Sequence, residues 1–156
     1  MEVRKQINSD EALEKLKYLC SKAEKCLLDI KTRLDEWDLS GEFDNISQIL
    51  TSEKYIDEAR YTQAFVNDKI RQGKWGKHKI RYLLKRKGIA PKSIETCLVS
   101  FPAKEYKTLV IRELQKKNNT IKETNPYKRY QKLSAFAAQR GYETEFLREI
   151  LDNTPE

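Results

Sequence analysis

Apolar residues recur at intervals of three and four along most of this chain, a periodicity that places them on one face of an α-helix. A clear example is the segment that carries Ile80, Leu83 and Leu84 and then reaches Gly88. Glycine is favoured immediately after a helix C-terminus, so this helix is predicted to end there. The sequence therefore predicts an all-α fold.

The same order of helix, glycine stop and short helix recurs along the chain. Aligning Gly141 with Gly88 places Leu133 opposite Ile80, and a shift of 50 residues places Ile30 opposite the same position. The other matched sets are Leu34, Leu84 and Ala137, and Leu39, Ile89 and Tyr142. With a two-residue insertion, Ile46 and Leu50 also match Ile94 and Leu98, which align with Leu147 and Leu151. We therefore predict three tandem three-helix units, at residues 9–52, 55–100 and 102–152, stacked into an elongated array.

Capping residues and breaks in the pattern locate the individual helices. Ser9 is predicted to cap a first helix over residues 9–19. A second helix is predicted from Ala23 to Trp37 on a stripe that includes Cys26 and Leu27. Further helices are predicted over 57–72 and 77–87, from Pro91, from Pro102, and after Asn125, which precedes Pro126.

The composition argues against several classes of protein. Cys20, Cys26 and Cys97 form no C-x-x-C pair, and His78 is the only histidine, so we expect core cysteines and neither disulfides nor a zinc site. No apolar run approaches the roughly 20 residues that cross a bilayer, and the N-terminal residues lack a secretory apolar core. We therefore expect a cytoplasmic protein without membrane contact. Since no nucleophile–base pair or phosphate-binding loop is present, we expect no enzymatic activity and no cofactor or metal.

Positive charge is concentrated in the middle of the chain. Lys and Arg number 31 against 24 Asp and Glu, for a net charge of +7, and no acidic residue lies between Lys69 and Ile94. Aromatic residues interleave with this charge, as in surfaces that contact phosphates and stack on bases. The predicted binding residues are Lys69, Arg71, Lys74, Trp75, Lys77, Lys79, Arg81, Tyr82, Lys85 and Arg86. The alternative is a solvated basic face on which Trp75 is buried as the anchor of a turn.

This region resembles the central motif of the RecX family, bacterial regulators of the RecA recombinase. The resemblance is carried by residues 55–66 (YIDEARYTQAFV), 73–76 (GKWG) and 80–89 (IRYLLKRKGI), with weaker similarity at 18–24 and 132–142. It implies three three-helix units in a curved module that lies in the groove of a RecA–DNA filament. It also implies inhibition of strand exchange, ATP hydrolysis and co-protease activity, and so a role in homologous recombination, DNA repair and the SOS response.

We therefore interpret the basic central residues as a contact surface for DNA phosphates, without sequence preference, or for an acidic surface of the recombinase. The chain is expected to act as a monomer. Two alternatives remain open. One is a stand-alone helix-turn-helix DNA-binding protein in which a single helix reads base edges. The other is a protein-interaction scaffold, which would bind no nucleic acid without a partner.

Overall fold

The computed structural model describes residues 6–152, and within these residues the chain forms nine α-helices, one 3-10 turn and no strand. The all-α prediction is confirmed. None of the described helices combines the length and the apolar character that membrane crossing requires. The helices are α1 Ser9–Lys22, α2 Leu27–Glu36, α3 Phe43–Ser52, α4 Glu58–Arg71, α5 Lys77–Arg86, α6 Pro91–Ser100, α7 Ala103–Thr120, α8 Pro126–Arg140 and α9 Glu145–Asp152, with the 3-10 turn at Ser40–Glu42.

Four helix N-termini differ from the prediction, two of them by a single residue, since α4 begins at Glu58 and α7 begins at Ala103 after Pro102. Asn8, not Ser9, caps α1, because the Asn8 Oδ1 accepts a hydrogen bond from the Glu11 N–H at 2.9 Å. The second helix begins at Leu27 rather than at Ala23, since Cys26 occupies the capping position and its N–H donates to the Asp29 carboxylate at 3.0 Å. As a result Leu27 does not lie on the buried stripe and is 44% exposed.

The predicted repeat places one helix-ending turn at three matched positions, and the same turn also follows α3, where Lys54 has a φ of 62° and the Tyr55 N–H donates to the Leu50 carbonyl at 2.8 Å. Asp38, Gly88 and Gly141 each adopt a left-handed backbone conformation, with φ of 59°, 79° and 85°. In each copy the next residue donates its N–H to a carbonyl five positions earlier: Leu39 to Leu34 at 2.8 Å, Ile89 to Leu84 at 3.1 Å, and Tyr142 to Ala137 at 2.9 Å. These bonds satisfy carbonyls that the helix end leaves unpaired, and aspartate serves in the first copy because it tolerates this conformation.

The chain divides into two compact units between Ala64 and Phe65, within α4. The boundaries proposed for three separate units, 9–52, 55–100 and 102–152, stay a prediction. The core of the first unit is built by α1, α2 and α3 from Ala12, Leu16, Ile30, Leu34, Ile46 and Leu50. Buried residues of the second unit include Val66, Ile70, Ile80, Leu84, Ile94, Leu98, Phe101, Val110, Leu114, Leu133 and Leu147.

Most positions that the repeat alignment matched are buried, with two exceptions, Leu39 and a residue at the end of α9. Leu39 is half-buried. Leu151 is only half-buried, and Ile150 is the buried residue in its place. Cys26 and Cys97 are buried in accordance with the prediction, whereas Cys20 is half-buried. Burial raises the pKa of the Cys20 and Cys97 thiols above the ordinary value.

Candidate polyanion-binding site

The excess positive charge of the chain belongs to the second unit. Residues 1–64 contain 10 Lys and Arg against 14 Asp and Glu, whereas residues 65–156 contain 21 against 10. The first unit is therefore acidic and the second strongly basic. Because a surface of one sign attracts ligands of the other, a polyanion is expected to contact the second unit.

Helix α5 presents an exposed cationic face in that unit. Ile80 and Leu84 are fully buried, which turns the opposite side of the helix to solvent. Tyr82 is 62% exposed on this side, and the Arg86 guanidinium lies 5.8 Å from the centre of its ring. Lys85 and Arg86 are both exposed, and neither forms an ion pair with another residue in the described range 6–152. Lys85, Arg86 and Tyr82 are therefore available to a ligand.

Two arginines of the predicted site are already paired with carboxylates. The Arg81 Nε donates a hydrogen bond to one oxygen of the Glu95 carboxylate at 2.5 Å, and the Arg81 Nη2 donates to the other oxygen at 3.3 Å. Arg71 makes the same forked contact with Glu105, at 2.8 and 3.0 Å. These hydrogen bonds raise the pKa of both arginines and lower the pKa of both glutamates. The field of the basic surface is consequently weaker than the sequence suggests.

Sequence reasoning missed both carboxylates because it considered only the acid-free stretch before Ile94. A signal for one of them existed. Arg81 and Glu95 each lie seven residues from Gly88, so a tight turn at Gly88 brings them opposite each other on α5 and α6. The other carboxylate, on Glu105, belongs to α7 and lies 34 residues along the chain from its partner Arg71. No local spacing predicts that pair.

Trp75 anchors the turn between α4 and α5. Its ring is half-buried and packs edge-on against Phe65, with 6.2 Å between the ring centres. The Lys79 Nζ lies 4.2 Å from the centre of the Trp75 ring and the Lys69 Nζ lies 4.9 Å from it. The indole therefore supports the turn and also holds two lysines of the predicted site by cation–π contact.

The α4–α5 turn is fixed against the α8–α9 turn by backbone contacts. The Gly76 N–H donates to the Arg140 carbonyl at 2.6 Å, and the His78 N–H donates to the Gly141 carbonyl at 3.1 Å. A Cβ added to Gly76 would lie 2.2 Å from the Gly141 oxygen, and one added to Gly141 would lie 2.4 Å from the Lys79 nitrogen. Only glycine fits at these two positions.

Lys74 lies in the same turn in a strained conformation. Its φ of 58° is left-handed, which is unfavourable for a lysine. The Lys74 carbonyl accepts a hydrogen bond from the Tyr142 hydroxyl at 2.5 Å, and the Lys74 Nζ donates to the Arg71 carbonyl at 2.8 Å. Tyr142 therefore helps to hold the turn in a conformation that the chain alone would not favour.

A buried tyrosine fixes the start of α5 from its other side. The Tyr106 hydroxyl accepts a hydrogen bond from the Lys77 N–H at 3.0 Å and donates one to the Glu143 carboxylate at 2.8 Å. The Lys77 Nζ lies 4.8 Å from the centre of the Tyr106 ring. Burial, together with the Glu143 charge, raises the pKa of Tyr106 far above its ordinary value. Lys77 is thereby a half-buried structural residue rather than a fully exposed one.

The ten predicted residues thus fall into three groups. Tyr82, Lys85 and Arg86 form the exposed part; Arg71 and Arg81 are paired with carboxylates; and Lys69, Lys74, Trp75, Lys77 and Lys79 are half-buried around the turn. Within the part of the chain that the structure describes, no group of His, Cys, Asp and Glu side chains could hold a metal ion. The site contains cations and aromatic rings, which suit a polyanion.

Comparison with known proteins gives a consistent set of similarities. The model of the second three-helix domain of RecX matches residues 57–98, and the model of the third matches residues 105–151. A regulatory protein RecX from Clostridium beijerinckii is 35% identical over 123 residues, which cover 78% of this chain and 56% of that protein. The corresponding protein from Chlorobium phaeobacteroides is 34% identical over 97 residues, covering 62% of each chain. The chain therefore spans little more than half the length of these relatives.

Two solved structures share the fold. A crystal structure of a regulatory protein RecX superposes with a TM-score of 0.81 at 23% identity, covering 92% of this chain and 73% of that one. The crystal structure of RecX from Lactobacillus salivarius superposes with a TM-score of 0.74 at 16% identity, covering 92% of this chain and 96% of the other. At these identities the likeness shows the fold.

Proposed function

The chain belongs to the RecX family, and from this premise we propose that it regulates a RecA-type recombinase by binding the recombinase–DNA filament. The observation that carries the proposal is the exposed cationic face of α5 in a unit that holds all of the excess positive charge. A nucleoprotein filament is a polyanion, and contacts with its phosphates supply affinity without reading sequence. The expected outcome of binding is inhibition of the filament.

The paired arginines suit this function because their partners are exchangeable. Exposed ion pairs contribute little to stability, so a phosphate can replace Glu95 or Glu105 at small cost. Arginine also binds phosphate through the same forked geometry that it uses with a carboxylate. The protein acts in the cytoplasm, as a monomer, and on DNA of any sequence.

Charge reversal of the exposed pair Lys85 and Arg86 tests the proposal. These two residues are preferred to Lys79 and Arg81, whose side chains contact Trp75 and Glu95 and whose replacement would also disturb the fold. We expect the variant K85E/R86E to lose inhibition of the ATPase of a RecA recombinase, with its helical circular dichroism unchanged. A control, K22E/K31E, changes the same charge at exposed positions of the first unit.

The outcomes separate the candidate functions. Unchanged inhibition by K85E/R86E would remove α5 from the mechanism, and absence of any effect of the wild-type protein on the recombinase would refute the proposed function. A preferred duplex sequence in a selection from random DNA would instead favour a helix-turn-helix reader. Binding to recombinase in the absence of DNA, with no affinity for DNA, would favour a protein-interaction scaffold.

A further inference from the structure

A second basic surface lies beside the predicted site, in a groove between the end of α4 and one side of α7. The groove has a volume of about 490 Å³. Its lining includes four cationic side chains, one carboxylate and one hydroxyl, contributed by Arg71, Lys74, Lys104, Glu105, Thr108 and Arg112. The single carboxylate, on Glu105, is already paired with Arg71. The groove therefore retains an excess of positive charge.

The cations of α7 are regularly spaced along the groove. Lys104, Thr108 and Arg112 follow one another at intervals of four residues, so they lie on the same side of the helix. At a rise of 1.5 Å per residue, successive members stand roughly 6 Å apart along the axis. All three are exposed. Two cations with a hydroxyl between them are side chains of the kind that contact phosphate oxygens.

The opposite side of the groove is fixed in place. The Arg71 guanidinium lies 4.9 Å from the centre of the Phe101 ring, and its two hydrogen bonds to Glu105 orient it further. Lys74 is held in its left-handed conformation, with its carbonyl bonded to the Tyr142 hydroxyl. A ligand therefore meets a pre-formed surface on this side, which lowers the ordering cost of binding.

We propose that this groove binds the sugar–phosphate backbone of single-stranded nucleic acid, with Lys104 and Arg112 as phosphate ligands and Thr108 as a hydrogen-bond donor. The inference rests on the proposed function and adds to it a second contact, on α7, that α5 does not supply. A groove of about 490 Å³ accommodates one sugar–phosphate backbone at a time. Glu105 restrains binding only slightly, because a phosphate that reaches the Arg71 guanidinium has to displace it from an exposed ion pair.

The test uses the full chain and a fluorescein-labelled thymidine oligonucleotide, with binding followed by anisotropy at several salt concentrations. We expect K104A/R112A to weaken binding by about tenfold or more at low salt and to lower the slope of log K against log salt by about 1.4, since each single-strand phosphate contact contributes about 0.7. We expect E105Q to bind more tightly than wild type and to raise the slope by up to about 0.7. Helical circular dichroism equal to that of wild type would show that the gain of affinity comes from the folded protein.

The control is K107A, which removes one charge from the same helix where K104A/R112A removes two. The Lys107 Nζ lies 3.4 Å from Glu149 of α9, so this side chain does not line the groove. Equal affinities of K104A/R112A and K107A for the oligonucleotide would overturn the proposal. Failure of the wild-type protein to bind the oligonucleotide would also overturn it. If K104A/R112A lost binding to a poly-glutamate peptide but kept binding to the oligonucleotide, the ligand of the groove would be an acidic protein segment. That result would also overturn the proposal.

Failure of the groove and failure of the proposed function have different signatures. Groove variants that bind the oligonucleotide normally, in a protein that still inhibits the recombinase, would refute only the groove. Groove variants with weakened binding, in a protein without any effect on the recombinase, would support the groove and refute the proposed function.

Discussion

Replacement of Gly141 by alanine provides a sharp test of the docking between the α4–α5 and α8–α9 turns. Gly141 and Gly88 occupy the same position in two copies of the repeat, with left-handed φ of 85° and 79°. A Cβ at Gly88 meets no atom within 4 Å, whereas a Cβ at Gly141 would lie 2.4 Å from the backbone nitrogen of Lys79. The two substitutions therefore share the conformational cost and differ only in the collision.

The expected magnitudes follow from these two contributions. An alanine in the left-handed region costs about 1–2 kcal/mol, and this is the whole expected effect of G88A. Overpacking against backbone that cannot rotate away adds about 1–3 kcal/mol for G141A. We therefore expect G141A to be the less stable variant by about 1–3 kcal/mol, a large fraction of the 5–15 kcal/mol typical of folded domains.

Urea unfolding followed by tryptophan fluorescence measures this difference. A W37F background removes the tryptophan of the first unit, so that the signal comes from Trp75, which lies in the α4–α5 turn. The linear dependence of the unfolding free energy on urea then yields the stability of the second unit for each variant. Equal losses in G88A and G141A would refute the close approach of the two turns.

Two further predictions concern the tyrosines that fix these turns. Y106F should lower the free energy of unfolding by about 1–3 kcal/mol in the same assay, because the Lys77 N–H and the Glu143 carboxylate lose their buried hydrogen-bond partner. The control Y82F, at an exposed position, should change the free energy of unfolding little. Similar effects of the two substitutions would contradict this hydrogen-bond network. Burial raises the pKa of Tyr142 to about 12, whereas the unfolded chain has the ordinary tyrosine value of about 10. Between these values the unfolded state loses the proton that the folded state keeps, so the free energy of unfolding should fall as the pH rises from about 10 towards 12. Between pH 10 and 11, Y142F should lose about 1 kcal/mol less than wild type, and an unchanged pH dependence would count against this assignment.

Helix positions were predictable where one residue type has a single structural use. Pro91 and Pro126 both start helices, since proline suits the first turn and little else in a helix. The predicted cap of α1, Ser9, was wrong, because Asn8 is as good a capping residue and the folded geometry selects it. Adjacent residues of equal capping ability differ in energy by too little for sequence reasoning to separate them.

The exposed side of α5 was predictable because helical periodicity alone determines which side of the helix is buried. Tyr82, Lys85 and Arg86 lie opposite Ile80 and Leu84 for this reason. The charge that the face retains was not predictable in the same way. Long-range packing brings α7 against the end of α4, and the partner of Arg71 is determined by that contact. The α7 side of the groove was missed for the same reason, since its cations become part of a surface only in the folded unit.

The orientation of the cationic face depends on backbone and aromatic contacts rather than on its charges. The start of α5 is fixed by hydrogen bonds from Gly76 and His78 to the α8–α9 turn and from Lys77 to Tyr106. Exposed ion pairs contribute little to stability in comparison with such buried contacts. Changes at exposed cations should therefore alter ligand binding without altering the fold, whereas changes at Gly76 or Gly141 should alter both. A loss of inhibition in G141A, under conditions where its helical circular dichroism equals that of wild type, would show that placement of the cations, and not only their number, is required.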